Sequence, residues 1–588
     1  MMKNSLSVLA LLLCFLQLKS QDVSKKYLQN KTVTYDEAIS YYKMLASKNS
    51  KCKLIECEST DIGKPLHLFV ITNDGDFNPA SIRSKNKRII LINNGIHPGE
   101  PCGVDACLGL SNDLLAKKDF QQLLDHVVVC IIPVYNIDGA LNRGSFSRAN
   151  QNGPEEYGFR GNARNLDLNR DFIKCDAENT KSFIKIFREW QPEIFVDTHI
   201  SDGADYQYTM TFIPTQQSKL HPALAEYMNK DLVPTLKTEM KNQNFEMTPY
   251  VETMKQIPDD GISAFLETPR FASGYTTLFN TIGFISETHM LKPYPKQVEA
   301  TYAFLHTLIG AINKDYQKIK SVKKAANDDC AKTKLIFDLQ WTLDTNKFEM
   351  INFKGYTADY KTSLVTGLEH FYYDQSKPYE KQIRYYNEYQ PEVQVMKPYC
   401  YIIPQCWREV IERMRLNKIE MHQLLKDTFI KVQSYYITDY TSPKKPYEGH
   451  YLHGGVSINT EDQKLQFRKG DYVIVCDQSS NRYIIETLEP QGVDSWFAWN
   501  FFDAALQQKE WFSDYVFDEK AAEVLNADPM LRDSLTDYVI ANNFQQNAWE
   551  QLAWIYKHSQ YYEKSAMRYP VFRVNEKMQL PFSKNDAH

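Results

Sequence analysis

His97 and Glu100 stand three residues apart in LINNGIHPGE (Leu91–Glu100), at the point where an apolar run gives way to a turn. A neutral imidazole nitrogen and a carboxylate oxygen are both good zinc ligands, so this H-x-x-E is a candidate metal-binding pair. Taken alone it is weak, because a loop histidine followed by a helix-capping glutamate has the same spelling. Two later stretches repeat the layout. EIFVDT (Glu193–Thr198) delivers His199 at its end, and GFISE (Gly283–Glu287) presents Glu287. Between LINNGIHPGE and EIFVDT lies NLDLNRDF (Asn165–Phe172), where five polar or charged residues crowd a short segment.

The elements that must position these residues can be read from pattern. Arg88–Ile92 is rich in β-branched and aliphatic residues, as a strand buried on both faces should be, and Asn93-Asn94-Gly95 supplies the turn. Pro98 disfavours a helical backbone at His97, and Pro101 suits the first turn of a helix over Gly103–Lys117. A second apolar strand follows at His126–Val134, so strand, helix and strand imply a parallel pair. Ahead of this unit, Tyr35–Ser47 reads as a helix capped by Thr34 or Asp36, with strands at Leu54–Glu58 and Pro65–Thr72. After it, Ala140–Gly161 lacks periodicity and reads as a long loop, followed by a helix over Asp176–Trp190. Thr209–Ile213 is a further strand, Pro222–Lys241 a helix, and Gln297–Lys320 a long helix that would pack over the sheet.

The 588 residues suffice for several domains, and the mixed composition is that of a globular protein. The net charge of −5 and the absence of a long basic run exclude nucleic acid as an expected partner; Lys318–Lys324 reads as a solvated helix end. Lys3, the apolar run Leu6–Leu16 and the polar exit at Lys19-Ser20-Gln21 have the layout of a secretory signal cleaved after Ser20, which would place the protein in the periplasm or outside the cell. No other segment is apolar enough to cross a membrane. Of the ten cysteines left, Cys52/Cys57 and Cys400/Cys406 are close enough in sequence to pair, whereas Cys102, Cys107 and Cys130 fall in buried elements. From about Asn327 the chain turns to aromatic strands, including Val456–Asn459, Lys464–Phe467 and Gly470–Cys476, and then to helical stretches at Phe502–Lys509, Glu519–Leu525 and Asn543–Tyr561. The expected division is a signal at 1–20, an α/β catalytic domain at 21–326 with a mixed, mostly parallel sheet flanked by helices, and a β-rich α+β accessory domain at 327–588.

In the order H-x-x-E, D-x-N-R, strand-end His and strand-end Glu, the chain over Val33–Ala325 resembles the zinc carboxypeptidases of the carboxypeptidase A type, in a divergent bacterial-type branch. The resemblance implies one Zn²⁺ per chain held by His97, Glu100 and His199, with a fourth position left for water. It implies that Glu287 is the general base acting on that water and that Asp167 orients a ligand histidine. Asn169 and Arg170 match the pair that grips a substrate's terminal carboxylate. Arg148 in SFSRANQNGP is the first choice for the arginine that stabilises the oxyanion, ahead of Arg160 and Arg164. Tyr275 is the candidate phenol ahead of Glu287, and Arg270 lies in the region that sets side-chain preference, where a cation would select an acidic residue. The implied activity is removal of the C-terminal residue of peptides. A zinc amidase acting on N-acyl amino acids or cell-wall peptides shares the same metal chemistry, and an inactive peptide-binding protein is the third reading. His450 and His453 in GHYLHGG lack a third ligand, His289 is read as structural, and the aromatic run Trp496–Phe512 as a helix that buries its rings.

Overall fold

The computed structural model describes residues 22–582; the segment read as a signal lies outside them. The first half of the chain is built on eight strands: β1 (Cys52–Ser59), β2 (Pro65–Ile71), β3 (Arg88–Asn93), β4 (Val127–Ile132), β5 (Ile194–Ser201), β6 (Met210–Pro214), β7 (Met247–Pro249) and, after the two-residue strands β8 (Glu252–Thr253) and β9 (Ile262–Ser263), β10 (Ile282–His289). Their order across the sheet is β1-β2-β4-β3-β5-β10-β6-β7. The inner strands β4, β3, β5 and β10 are mutually parallel, while β1, β2 and β6 run against a neighbour. Every residue of β3, β4 and β5 is buried, which explains the aliphatic runs of β3 and β4 and the Ile-Phe-Val start of β5.

Local chemistry fixes the elements around this sheet. The helix Tyr35–Lys48 starts on a capping box: Glu37 N–H donates to Thr34 Oγ1 (3.2 Å) and Thr34 N–H donates to Glu37 Oε2 (2.7 Å). The helix Cys102–Ala116 lies so close to β5 that a Cβ at Gly103 would collide with Thr198 Oγ1, so only glycine lets the helix that follows Glu100 press onto the strand. His199 falls inside β5, not just past it, because the ladder with β10 runs on to Ser201 and His289.

The second half departs from the pattern reading in several places. The helix expected over Gln297–Lys320 spans Tyr294–Lys332, bending at Asp315, so it runs straight through the expected boundary at Asn327. Its buried positions continue through Ile319, Ala326 and Cys330, which keeps it apolar on one side beyond the point where the polar face had suggested an end. The strands read separately at Val456–Asn459 and Lys464–Phe467 are one continuous strand, Gly454–Phe467, paired along Thr428–Thr441; the intervening Thr460–Gln463 is polar because it is exposed, not because the strand breaks. A helix at Pro529–Ala541 joins those at Asp514–Ala527 and Ala548–Lys557. The Trp496–Phe512 stretch is mostly turns, with a short 3-10 helix at Asp503–Leu506, yet it does bury Trp496, Phe497, Trp499 and Phe502.

The ten described cysteines are free. Cys52 and Cys57 sit five residues apart on β1 and so face opposite sides of the sheet, and Cys400 is buried in a strand while Cys406 is exposed beyond its end. One buried apolar cluster runs from Val33 through the β3–β5 core to Tyr483, Trp499 and Val571, so both halves of the chain share a core.

Candidate active site

A cleft of about 730 Å³ opens at the carboxyl ends of β3 and β5, where open α/β sheets place their sites. His97, Glu100 and His199 converge in its floor, each offering a ligand atom within 4.8 Å of the others, and all three are buried. His97 and Glu100 sit one turn apart, with Glu100 N–H donating to the His97 carbonyl (2.8 Å).

The donor set fits a divalent metal. His97 Nε2 lies 3.0 Å from Asp167 Oδ1, so the carboxylate takes the ring proton on that side and leaves the Nδ1 lone pair facing Glu100 Oε1 at 3.2 Å. His97 Nδ1 is buried with no hydrogen-bond partner among the described residues. His199 also stands between two carboxylates, with Nδ1 bonded to Glu100 Oε2 (2.9 Å) and Nε2 in close contact with Asp197 Oδ2 (3.1 Å). A neutral imidazole that gives its Nε2 proton to an outer carboxylate turns its Nδ1 lone pair toward Glu100, a donor set that a cation among the three would complete.

Opposite charges dominate the cluster. Burial alone would raise the Glu100 carboxyl, but Arg148, His97 and His199 outweigh it and hold the group well below the usual carboxylate range. Burial likewise works against charging His199, yet Asp197 and Glu100 keep its imidazole well above the ordinary value. Asp167, also pushed up by burial, is lowered further still by His97, Arg160 and Arg170.

Glu287 reaches the cleft from β10, where it is the register partner of His199 on β5. Paired residues of adjacent parallel strands point to the same face about 4.8 Å apart, so backbone pairing alone sets Glu287 beside His199. Its carboxyl is pushed up to about 8 by burial, against the pull of His199 and with Glu100 adding to the rise.

The remaining candidates divide into those that meet in the cleft and those that do not. Asn169 and Arg170 both line it. Asn169 Oδ1 accepts the Ala272 N–H (3.2 Å), which fixes the amide so that its NH₂ is free to donate. Arg148 is in the cleft, its Nη2 2.5 Å from Glu100 Oε1, and Arg160 joins it with Nη1 3.7 Å from the same oxygen and Nε donating to Asp167 Oδ2 (2.9 Å). Arg164 instead donates to the Asp176 carbonyl.

Tyr275 and Arg270 are elsewhere. Tyr275 is fully buried under the helix Ala272–Thr277, and its hydroxyl donates to Asn417 Oδ1 (2.6 Å), so it cannot meet a substrate. Arg270 turns away from the cleft to pair with Asp494 (Nε to Oδ1, 2.8 Å) and stacks over Trp499. The expected cation is therefore absent from the cleft, whose lining includes the carboxyl of Glu267 together with Ile213, Tyr250, Phe265 and Ile285. One Glu267 oxygen is occupied by the Ser273 N–H (3.1 Å) and hydroxyl. Burial, partly offset by His199, pushes this carboxyl up to about 7. Tyr250 is the phenol that the structure brings to the cleft, and burial and then Glu287 raise it.

Sequence reasoning missed Asp197, Tyr250 and Glu267. Asp197 carried a usable signal, since it precedes His199 by two in a strand and so shares its face. Tyr250 and Glu267 lie in a segment with only two-residue strands, where no period reports orientation. His289 is structural, bonded to the Ala204 carbonyl (2.9 Å), and His450 and His453 bind Asp176 (2.8 Å) and Asp503 (2.9 Å) in place of a metal.

A mixed sheet that carries a two-histidine, one-glutamate centre at its strand ends defines a metallohydrolase. Residues 38–301 match the zinc carboxypeptidase family, and together with the curated relatives this match supports a hydrolase of the metallocarboxypeptidase class. Carboxypeptidase 2 of Trichophyton tonsurans is 19% identical over 433 residues, covering 70% of this chain and 73% of the relative. A probable carboxypeptidase 2 of Trichophyton verrucosum is 20% identical over 486 residues, covering 78% and 85%. Among solved structures, a metallo-carboxypeptidase from Burkholderia cenocepacia superposes with a TM-score of 0.37 at 16% identity, covering 48% of this chain and 70% of that one.

Proposed function

We propose that this protein is an exported, zinc-dependent exopeptidase that hydrolyses the C-terminal peptide bond of peptides, with the chemistry in residues 21–326 and an accessory region in 327–588. The observation that carries the reading is the pair of imidazoles, each backed by its own carboxylate, facing Glu100 with Glu287 in register beside them. Among the described residues no helix is long and apolar enough to cross a membrane.

His97, Glu100 and His199 would hold one zinc ion, which when bound lowers the pKa of water toward neutrality and polarises a carbonyl. Glu287 accepts the proton that the attacking water gives up and passes it to the departing amine nitrogen. Asp167 and Asp197 keep the two imidazoles in the tautomer that leaves Nδ1 free. Arg148 and Arg160, crowded on Glu100 Oε1, supply the positive charge nearest the reacting carbonyl, and Tyr250 supplies a hydroxyl donor. The free NH₂ of Asn169 and the guanidinium of Arg170 take the substrate's terminal carboxylate, which makes a free C-terminus the feature that is measured.

The test is an E287Q variant assayed for zinc content and for release of C-terminal residues. Zinc should be retained at one per chain while turnover falls by at least about a hundredfold, the scale of general acid–base catalysis. Unchanged hydrolysis would remove Glu287 from the reaction. Equal cleavage of peptides with free and amidated C-termini would refute exopeptidase action.

A further inference from the structure

The sharp turn at Tyr447–His450, from the second half of the chain, lies directly against the segment that carries Asp167, Asn169 and Arg170. Tyr447 N–H donates to the His450 carbonyl (2.7 Å) and His450 N–H to the Tyr447 carbonyl (3.0 Å), closing a two-residue turn in which Glu448 (φ 51°) and Gly449 (φ 83°) are both left-handed. A glutamate seldom adopts that backbone, and one that does is held there by its surroundings. Here Glu448 Oε2 accepts the backbone N–H of Asp167 (2.8 Å), and Tyr447 Oη accepts Arg170 Nε–H (3.1 Å).

These two bonds bear on the geometry of the cleft itself. Arg170 also donates from Nη1 to the Asn169 carbonyl (2.9 Å), and its guanidinium lies 4.3 Å over the Phe271 ring. With Nε and Nη1 occupied and one face covered, the plane of the guanidinium is fixed, and Nη2 has no acceptor among the described residues. The turn is itself rigidly placed: His450 Nε2 meets Asp176 Oδ2 (2.8 Å), and the Tyr447 ring stacks on Trp499 (6.2 Å, 16°).

We propose that Tyr447 and Glu448 are positioning residues of the catalytic cleft: the second half of the chain orients the guanidinium that grips the substrate carboxylate and steadies the backbone that carries Asp167. This rests on the reading of Asn169 and Arg170 as the carboxylate clamp. A guanidinium free to swing would pay in lost orientation for each substrate it bound, whereas one fixed from behind presents its donor in place.

Y447F tests the proposal, because it keeps the ring stacked on Trp499 and removes only the acceptor for Arg170 Nε. KM for a peptide with a free C-terminus should rise about tenfold, the worth of one hydrogen bond to a charged group, with kcat changed much less. The preference for free over amidated C-termini should fall by the same factor, while zinc content and Tm stay at the wild-type values. E448A should lose zinc affinity and KM together, and E448Q, which keeps an acceptor for the Asp167 N–H, should recover most of that loss. A folded Y447F with wild-type KM and wild-type free-to-amidated preference, or an E448Q no better than E448A, would overturn the proposal. If the wild-type enzyme cleaves peptides but does not discriminate free from amidated ends, and R170A matches it, the clamp reading has failed and the positioning role falls with it.

Discussion

Asp197 offers the sharpest test of how this centre is built, because replacing it with asparagine changes one charge and almost no volume. The side chain is fully buried, with Oδ1 accepting the Asn93 Nδ2–H (3.0 Å) and Oδ2 3.1 Å from His199 Nε2. An asparagine that keeps its own Oδ1 on Asn93 turns an NH₂ toward His199, which then accepts at Nε2 and carries its proton at Nδ1, the atom that must face the metal. Loss of an outer carboxylate of this kind weakens metal binding by about 10–100-fold, or about 1.4–2.7 kcal/mol. At a zinc concentration one hundred times the wild-type Kd, the ion should stabilise the native wild-type protein by about 2.7 kcal/mol, and the variant by only about 0.4–1.4 kcal/mol. Competition against a chromophoric chelator gives the Kd directly, and the zinc-induced rise in Tm gives the same quantity independently. A D197N protein that binds zinc within twofold of wild type, with an equal Tm rise, would refute the argument that the carboxylate sets the His199 tautomer.

Other expectations follow from buried acids. Glu267 carries a carboxyl into an otherwise apolar and aromatic end of the cleft, so peptides ending in Lys or Arg should be preferred to those ending in Asp or Glu. E267Q should reduce kcat/KM for the basic substrates by about 10–100-fold, the worth of a charge-assisted bond, and leave aliphatic ones nearly unchanged; a flat substrate profile in both proteins would remove Glu267 from the pocket. Asp105, buried beneath Tyr294, is pushed up from 3.8 to about 6 by burial, against the lowering pull of the Tyr294 hydroxyl. Its folded pKa exceeds the unfolded one, so between pH 4 and 6 the native state binds more protons and stability falls as pH rises. The full loss is on the order of 3 kcal/mol. D105N should flatten that part of the stability profile measured by urea unfolding, and an unchanged slope would show that other groups cause it.

The parts of the molecule that were legible in the sequence are those where a period survives. β3 and β4 announce themselves as aliphatic runs, and β5 by its Ile-Phe-Val start, because parallel strands are covered on both faces, and the sequence narrows the first helix's cap to Thr34 or Asp36, of which Thr34 makes the capping box. His97, Glu100, His199 and Glu287 were findable because each sits where such a run ends or turns. Arg270 and Tyr275 were misplaced for a physical reason: one lies in a turn and the other in a six-residue helix too short to show a period, and what decides their direction is Asp494 and Asn417, far along the chain. Nothing local to PRFASGY reports those partners. The Gly454–Phe467 strand was split for a related reason, since its middle is solvated on both faces and carries no apolar alternation.

The pairing of Glu287 with His199 along one parallel ladder has a mechanical consequence. The separation of the Glu287 and His199 backbones is set by interstrand hydrogen bonds, and β10 is flanked on both edges, by β5 and by β6, so neither Cα can shift without unzipping the middle of the sheet. Amide protons of Ser286 to Thr288 should therefore be among the slowest in the protein to exchange with solvent, and the catalytic gap should keep its width through any rearrangement of the surrounding loops.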